Sequence, residues 1–203
     1  LPNINKYIVE PGSLKKAITT FPSTTGPAFT PFVTGCFAGT CDVPGIRWFD
    51  RHILPEKKWT LKRFRDYYGW GLYALDTDIS KNVKTIFEYS RRAINVMGML
   101  NRGSGVSRDP AFFRIPFLFY RAKKKDNIEV VERTAYRMFQ SSLNRSPDFI
   151  FYYFPSIDKY AHEFNGSHEM VFRAYRRLDD YIGKMVDELK ERNLFDSTLI
   201  MLS

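Results

Sequence analysis

Asp158 and His162 are the residues whose types and spacing most directly allow metal or acid–base chemistry. They stand four residues apart in Ser156-Ile-Asp158-Lys-Tyr-Ala-His162-Glu-Phe-Asn-Gly166, just past the apolar run Phe149–Phe154. A carboxylate oxygen and an imidazole nitrogen both suit zinc, and in a loop at a strand end the two can converge on one cation. An aspartate capping a turn beside a surface histidine fits the same residues. The chain has 3 histidines, His52, His162 and His168. His168 is expected in the first turn of the next helix, in a structural role.

A second candidate lies far upstream, in Phe21-Pro-Ser-Thr24-Thr25-Gly-Pro-Ala-Phe-Thr-Pro-Phe-Val-Thr34-Gly35. Thr25 or Thr24 can cap a helix whose first turn contains Pro27 and which Gly35 ends. Pro31 sits late enough to distort that helix. Free N–H groups and the helix dipole favour an anion there, and a threonine hydroxyl can attack phosphorus or sulfur when a metal lowers its pKa. A capping threonine without chemistry fits equally.

The elements that must position these residues are clearest in the last third. Ile128, Val131, Ala135, Met138 and Leu143 recur at helical spacing, and Pro147 stops the helix. Phe149–Phe154 reads as a central parallel strand covered on both faces. Ser167 is placed to cap a helix with Glu169 in its first turn and Val171, Ala174, Tyr175, Leu178, Ile182, Met185 and Leu189 on one face. Asn193 ends it, and Thr198–Leu202 reads as a second buried strand. Helix, strand, loop, helix, strand is the grammar of an α/β fold with a doubly wound, mostly parallel sheet and helices on both faces.

Earlier segments are less regular. Residues 3–17 fit a short helix, the Pro11-Gly12 turn and a strand leading into Ile18. Residues 36–82 hold glycines, prolines and aromatics without sustained periodicity and read as loops covering a site, not scaffold. Thr85–Leu100 suits a strand edge or a short helix. Lys123-Lys-Lys-Asp126 reads as a solvated turn or helix start.

Composition narrows the partners. With 31 Lys and Arg against 22 Asp and Glu, the 203-residue chain carries a formal charge of +9, which favours anionic partners. No apolar run approaches the roughly 18 residues a spanning helix needs. Cys36 and Cys41 suit either a small disulfide ring, which would point to an oxidising, extracytoplasmic compartment, or two free thiols. The ends, Leu1-Pro2 and Thr198-Leu-Ile-Met-Leu-Ser203, read as breaks inside a larger protein.

Taken together, four segments resemble one family in the right order. Phe21 to Gly35 resembles the nucleophile segment of the alkaline phosphatase superfamily, in its type I phosphodiesterase/nucleotide pyrophosphatase branch. Counting back ten residues from the glycine, as that family does, points to Thr25, with Thr24 in reserve. Ser156 to Gly166 resembles its Asp-x-x-x-His metal segment, Leu178-Asp-Asp-Tyr-Ile-Gly183 its Leu-Asp-x-x-Ile-Gly helix, and Thr198–Ser203 the strand before its Asp-His-Gly segment. On that resemblance Asp179 and Asp180 are helix positions and not ligands.

The resemblance implies an alkaline phosphatase-like catalytic domain over residues 1–203, incomplete at both ends, with a loop-rich, cap-like insertion at 36–125. It implies two zinc ions held by six Asp/His ligands and the threonine oxygen; matching positions here are Asp158, His162 and Thr25. It further implies a phosphothreonine intermediate and a small phosphate-ester substrate, with a nucleotide as one option. The chain by itself would then be inactive. The family's phosphate-contacting asparagine has no counterpart in Val43-Pro-Gly-Ile-Arg47-Trp-Phe-Asp-Arg51, where Arg47 is the candidate anion contact. Two alternatives stand beside this reading. One is a phosphomonoesterase or phosphoethanolamine transferase of the same superfamily. The other is a basic, non-catalytic nucleic-acid or anion-binding module using the aromatics and arginines of residues 47–73. The core spacing of the later aromatics and the lack of a nucleic-acid fold signature count against the binding module.

Overall fold

The apolar stripes of the last third become helices, and the aromatic run before Pro155 becomes a parallel strand. The computed structural model describes residues 1–51, 64–67, 71, 74–105 and 128–203. In chain order its helices are α1 (Pro2–Ile4), α2 (Thr25–Thr34), α3 (Ala38–Cys41), α4 (Leu75–Asp78), α5 (Ile86–Tyr89), α6 (Ile128–Leu143), α7 (Ser156–Glu163) and α8 (Glu169–Glu191). Its strands are β1 (Arg47–Phe49), β2 (Phe64–Asp66), β3 (Ala93–Val96) and β4 (Phe149–Tyr152). They divide between two compact units, one of Leu1–Ala17, Ile128–Gln140 and Phe154–Ser203, the other of Ile18–Asn127 and Ser141–Tyr153.

In the first unit, α8 buries Val171, Ala174, Leu178, Ile182, Met185, Val186 and Leu189 along one face. Tyr175, expected on that face, lies at its edge and is 39% exposed. The cap is His168 rather than Ser167: its Nδ1 accepts from the Met170 amide at 3.2 Å, and its ring stacks on Phe164. Histidine wins because it satisfies an orphan helix amide and covers an aromatic ring at once. Beyond α8, Asn193 takes φ 56°, ending the helix as expected.

The N-terminal segment forms α1, a π turn at Asn5–Val9 and the turn at Pro11-Gly12. Asp179, only 2% exposed, holds it by accepting from the amides of Asn3 and Ile4 and from Asn3 Nδ2, at 3.2, 2.8 and 3.1 Å. Gly183, one turn along, lets Asn3 approach so closely that a Cβ would stand 2.9 Å from its Cγ. The Leu-Asp-x-x-Ile-Gly spacing therefore has a mechanical meaning, a carboxylate and a gap for the incoming chain.

Two expected strands do not form. Residues 13–20 adopt no strand. Thr198–Leu202 follows a 3-10 turn at Phe195–Ser197 and pairs with nothing among the described residues, leaving Leu199 and Met201 90% and 87% exposed. An apolar sequence becomes a strand only when another backbone completes its ladder, and among the described residues none does.

In the second unit β3 and β4 pair in parallel, Ala93 opposite Phe149 through Val96 opposite Tyr152. All of β3 is buried, whereas β4 is half-buried along its length and not covered on both faces. Thr85–Leu100 contains both elements its sequence suits. Thr85 and Glu88 close a capping box on α5, and β3 follows. Phe29, Val33, Phe87, Ala93 and Leu100 share one core with Cys41, Val43, Tyr67, Leu75 and Ile79. The described part of residues 36–82 is thus scaffold, not covering loops: β1 and β2 form an antiparallel ribbon, and Cys41 of α3 and Leu75 of α4 enter the core. Of its described aromatics Tyr67 is buried, its hydroxyl donating to Asp78 at 3.0 Å and accepting from Trp48 Nε1 at 3.1 Å, whereas Phe37, Phe49 and Phe64 are exposed.

Among the described residues the parallel sheet has two strands, so the α/β character is present while a doubly wound sheet goes beyond what is seen. No described helix is long and apolar enough to cross a membrane. Cys36 and Cys41 are free thiols; burial pushes the Cys41 pKa up, against the Thr34 hydroxyl 3.3 Å away. His52, Lys123–Asp126, and residues 52–63, 68–70 and 72–73 of the aromatic stretch lie outside the described residues.

Candidate active site

Asp158 and His162 sit on a helix, α7, rather than in the expected loop. The sequence favours it locally: Asp158 in the first turn and His162 in the last both suit the dipole, and Lys159 donates its amide to the Pro155 carbonyl at 3.1 Å. Four residues apart on a helix share a face, so Asp158 Oδ1 and His162 Nε2 come within 3.4 Å. Their side chains are 56% and 79% exposed, open to an ion from solvent.

That separation is compatible with zinc. Two donors each about 2.0–2.1 Å from a tetrahedral ion stand about 3.3 Å apart, so the pair already spans one edge of such a site. The same spacing serves an Asp–His ion pair. Among the described residues no three or more His, Cys, Asp and Glu side chains gather as a metal site.

The opposite face of α7 is fixed from beneath. Ser156 and Tyr160, 1% and 4% exposed, point inward one turn apart. The Ser156 hydroxyl bonds to Glu132, and Tyr160 stands next to Arg177. Arg177 Nε donates to Glu132 Oε2 at 2.7 Å, and its Nη1 to Glu129. Burial pushes the Glu132 carboxyl up, opposed by Ser156 and Arg177. Burial alone would lower the Arg177 pKa, but Glu132, Tyr160 and Glu129 outweigh it and hold the guanidinium charged. Sequence reading missed this network, although it left a trace: Glu132, only 1% exposed, is an acid on the apolar stripe of α6 between Val131 and Ala135.

Thr25 belongs to the other unit, as the first residue of α2, and is exposed. Thr24 is the cap residue, with extended backbone (φ −87°, ψ 155°) and no side-chain capping bond. Its carbonyl accepts from Ala28 at 2.9 Å, and Pro27 has no N–H, so the helix opens on the amides of Thr25 and Gly26. Gly26 is buried where a Cβ would meet the Gly45–Ile46 backbone at 3.5–3.6 Å, laying the chain just before Arg47 against this helix start. Arg47 itself, 59% exposed, pairs with Asp66 across the β1–β2 ribbon at 3.0 Å. The structure thus brings Asp158 to His162 and gives Arg47 an acidic partner.

Thr25 lies in one unit and the Asp158–His162 pair in the other, and each is described within its own unit. The family model described as type I phosphodiesterase/nucleotide pyrophosphatase matches residues 1–203, and the chain belongs to that family, within the alkaline phosphatase superfamily. No curated protein and no solved structure matches the chain. Membership makes it a phosphoester hydrolase at the level of class, acting on small-molecule phosphoesters, in a family whose members are typically metal-dependent.

Proposed function

We propose that this chain supplies the nucleophile and part of the zinc site of a phosphodiesterase of nucleotide pyrophosphatase type. The observation that carries it is the Asp158–His162 pair at 3.4 Å, exposed and preset to one edge of a tetrahedral site, in a chain matched over 1–203 by this family. Asp158 and His162 are the zinc ligands in this chain and Thr25 the oxygen that joins them; the place of Thr25 rests on family membership and motif order. Two zinc ions are expected, with their remaining ligands supplied outside these positions.

Zinc, when bound, lowers hydroxyl pKa values and neutralises phosphoryl charge. The Thr25 hydroxyl attacks phosphorus, its proton leaves to solvent, and the substrate's alcohol departs with the P–O bond electrons, leaving a threonine phosphoester. Water then adds to phosphorus and releases Thr25 with a phosphate monoester. The amides of Thr25 and Gly26 and the positive end of α2 favour phosphate oxygens throughout. Thr24, one residue earlier, is the reserve nucleophile. Arg47 is proposed as an anion contact once it exchanges Asp66 for phosphate oxygens.

The scaffold we propose is the doubly wound sheet of the superfamily, with the cap-like part of residues 36–125 lying apart from the core-forming Cys41, Val43, Tyr67, Leu75 and Ile79. The test is zinc-dependent hydrolysis of a chromogenic phosphodiester by the full-length protein, with turnover abolished in Asp158→Ala and Thr25→Ala. Wild-type zinc content in Asp158→Ala would remove the metal assignment. Faster cleavage of a monoester than of the diester would favour the phosphomonoesterase alternative.

A further inference from the structure

The buried network under α7 has a use that stability does not explain. A buried ion pair is a weak source of stability, because desolvating two charges costs several kcal/mol and apolar residues of similar volume commonly do as well. Yet Glu132, 1% exposed, and Arg177 lie beneath α7. Glu132 is bonded to the Ser156 hydroxyl and Arg177 lies beside Tyr160; Ser156 and Tyr160 are the inward residues of the helix whose outward residues are Asp158 and His162.

Inward and outward faces are coupled by helix geometry. Residues 156 and 160 share one side, and 158 and 162 lie near the opposite side, since each residue advances about 100°. Packing alone leaves several neighbouring rotations of α7 close in energy, whereas the directed bond from Ser156 to Glu132 and the seat of Tyr160 beside Arg177 weaken as the helix turns and so favour one. Such a rotation would carry Asp158 and His162 around with the helix.

We propose that Glu132 and Arg177 are positioning residues that, through Ser156 and Tyr160, set the rotation of α7 and so the direction in which Asp158 and His162 present their metal-binding atoms. The inference rests on the reading of Asp158 and His162 as zinc ligands and adds the device that aims them.

The test titrates the chain with zinc chloride and follows the His162 imidazole resonances by NMR, assigned with His162→Ala. Asp158→Ala checks the site. Ser156→Ala/Tyr160→Phe removes only the two hydroxyls and leaves the ion pair in place, with folding confirmed by circular dichroism. Leu178→Ala, a core truncation on α8, is the stability control. The expected result is about a tenfold loss of zinc affinity in the double hydroxyl variant, in the range seen when outer-sphere partners are removed, with Leu178→Ala within twofold of wild type. Affinity within twofold of wild type in the hydroxyl variant, while Asp158→Ala loses it, overturns the positioning role and leaves the site standing. An equal loss in Leu178→Ala also overturns it, since stability alone would then be the cause. If Asp158→Ala titrates like wild type, the site reading fails and the inference falls with it.

Discussion

Thr30 donates its hydroxyl to the Pro27 carbonyl at 3.1 Å, on the acceptor that Pro31 leaves without its helical partner. Proline 31 has no N–H to return to residue 27, and a bare carbonyl there would be buried. Thr34, one turn on, donates its hydroxyl to the Thr30 carbonyl at 2.7 Å and accepts from the Cys36 amide at 3.1 Å. Helix α2 thus runs through its internal proline and holds Thr25 at its start. Thr30→Val keeps the shape and removes the donor. It is expected to destabilise the protein by about 1–3 kcal/mol, measured as a lower urea midpoint.

Asp179 is the fastening point of the N-terminal segment. Asp179→Ala strips three charge-assisted bonds from Asn3 and Ile4, at a cost of about 2–3 kcal/mol. Gly183→Ala should act in the same direction, by pushing Asn3 away. Limited proteolysis should cut within residues 1–17 faster in both variants; unchanged cleavage would show that the segment is held by other contacts.

Asp76 supplies a pH signature. Burial pushes its carboxyl above the ordinary aspartate value, against the Asn101 and Arg102 amides that donate to it at 2.6 and 3.1 Å. As pH rises, the unfolded chain releases this proton first, so the native state holds more protons between the two pKa values. The contribution of Asp76 to stability is therefore full below the ordinary aspartate value and lost as pH rises through the raised native one. Asp76→Asn does not titrate and keeps an oxygen for both amides. Urea midpoints followed upward from about pH 4 should fall less with rising pH in the variant than in wild type.

Much of the last third was legible because its signal is local. The stripes of α6 and α8, the Gly35 stop and the parallel strand at Phe149–Tyr152 follow from period and punctuation alone. The candidate residues were chosen by type and by family resemblance, and the roles of Thr25, Asp158 and His162 are proposals. The helix under Asp158 and His162 was not legible: eight residues carry too short a pattern, and its inner face is built from Ser156 and Tyr160, polar groups made burial-worthy only by Glu132 and Arg177 far along the chain. Residues 36–82 misled for a related reason. Cys41, Val43, Tyr67, Leu75 and Ile79 enter the core singly, from turns and short elements, so no periodicity marks them.

Covalent capture on Thr25 tests the central claim most directly. The full-length protein is mixed with zinc and a chromogenic phosphodiester, quenched in acid during turnover and mapped by mass spectrometry. A phosphoester on Thr25, with adduct and turnover both lost in Thr25→Ala by orders of magnitude, is the predicted result. Turnover by Thr25→Ala at the wild-type rate would contradict it.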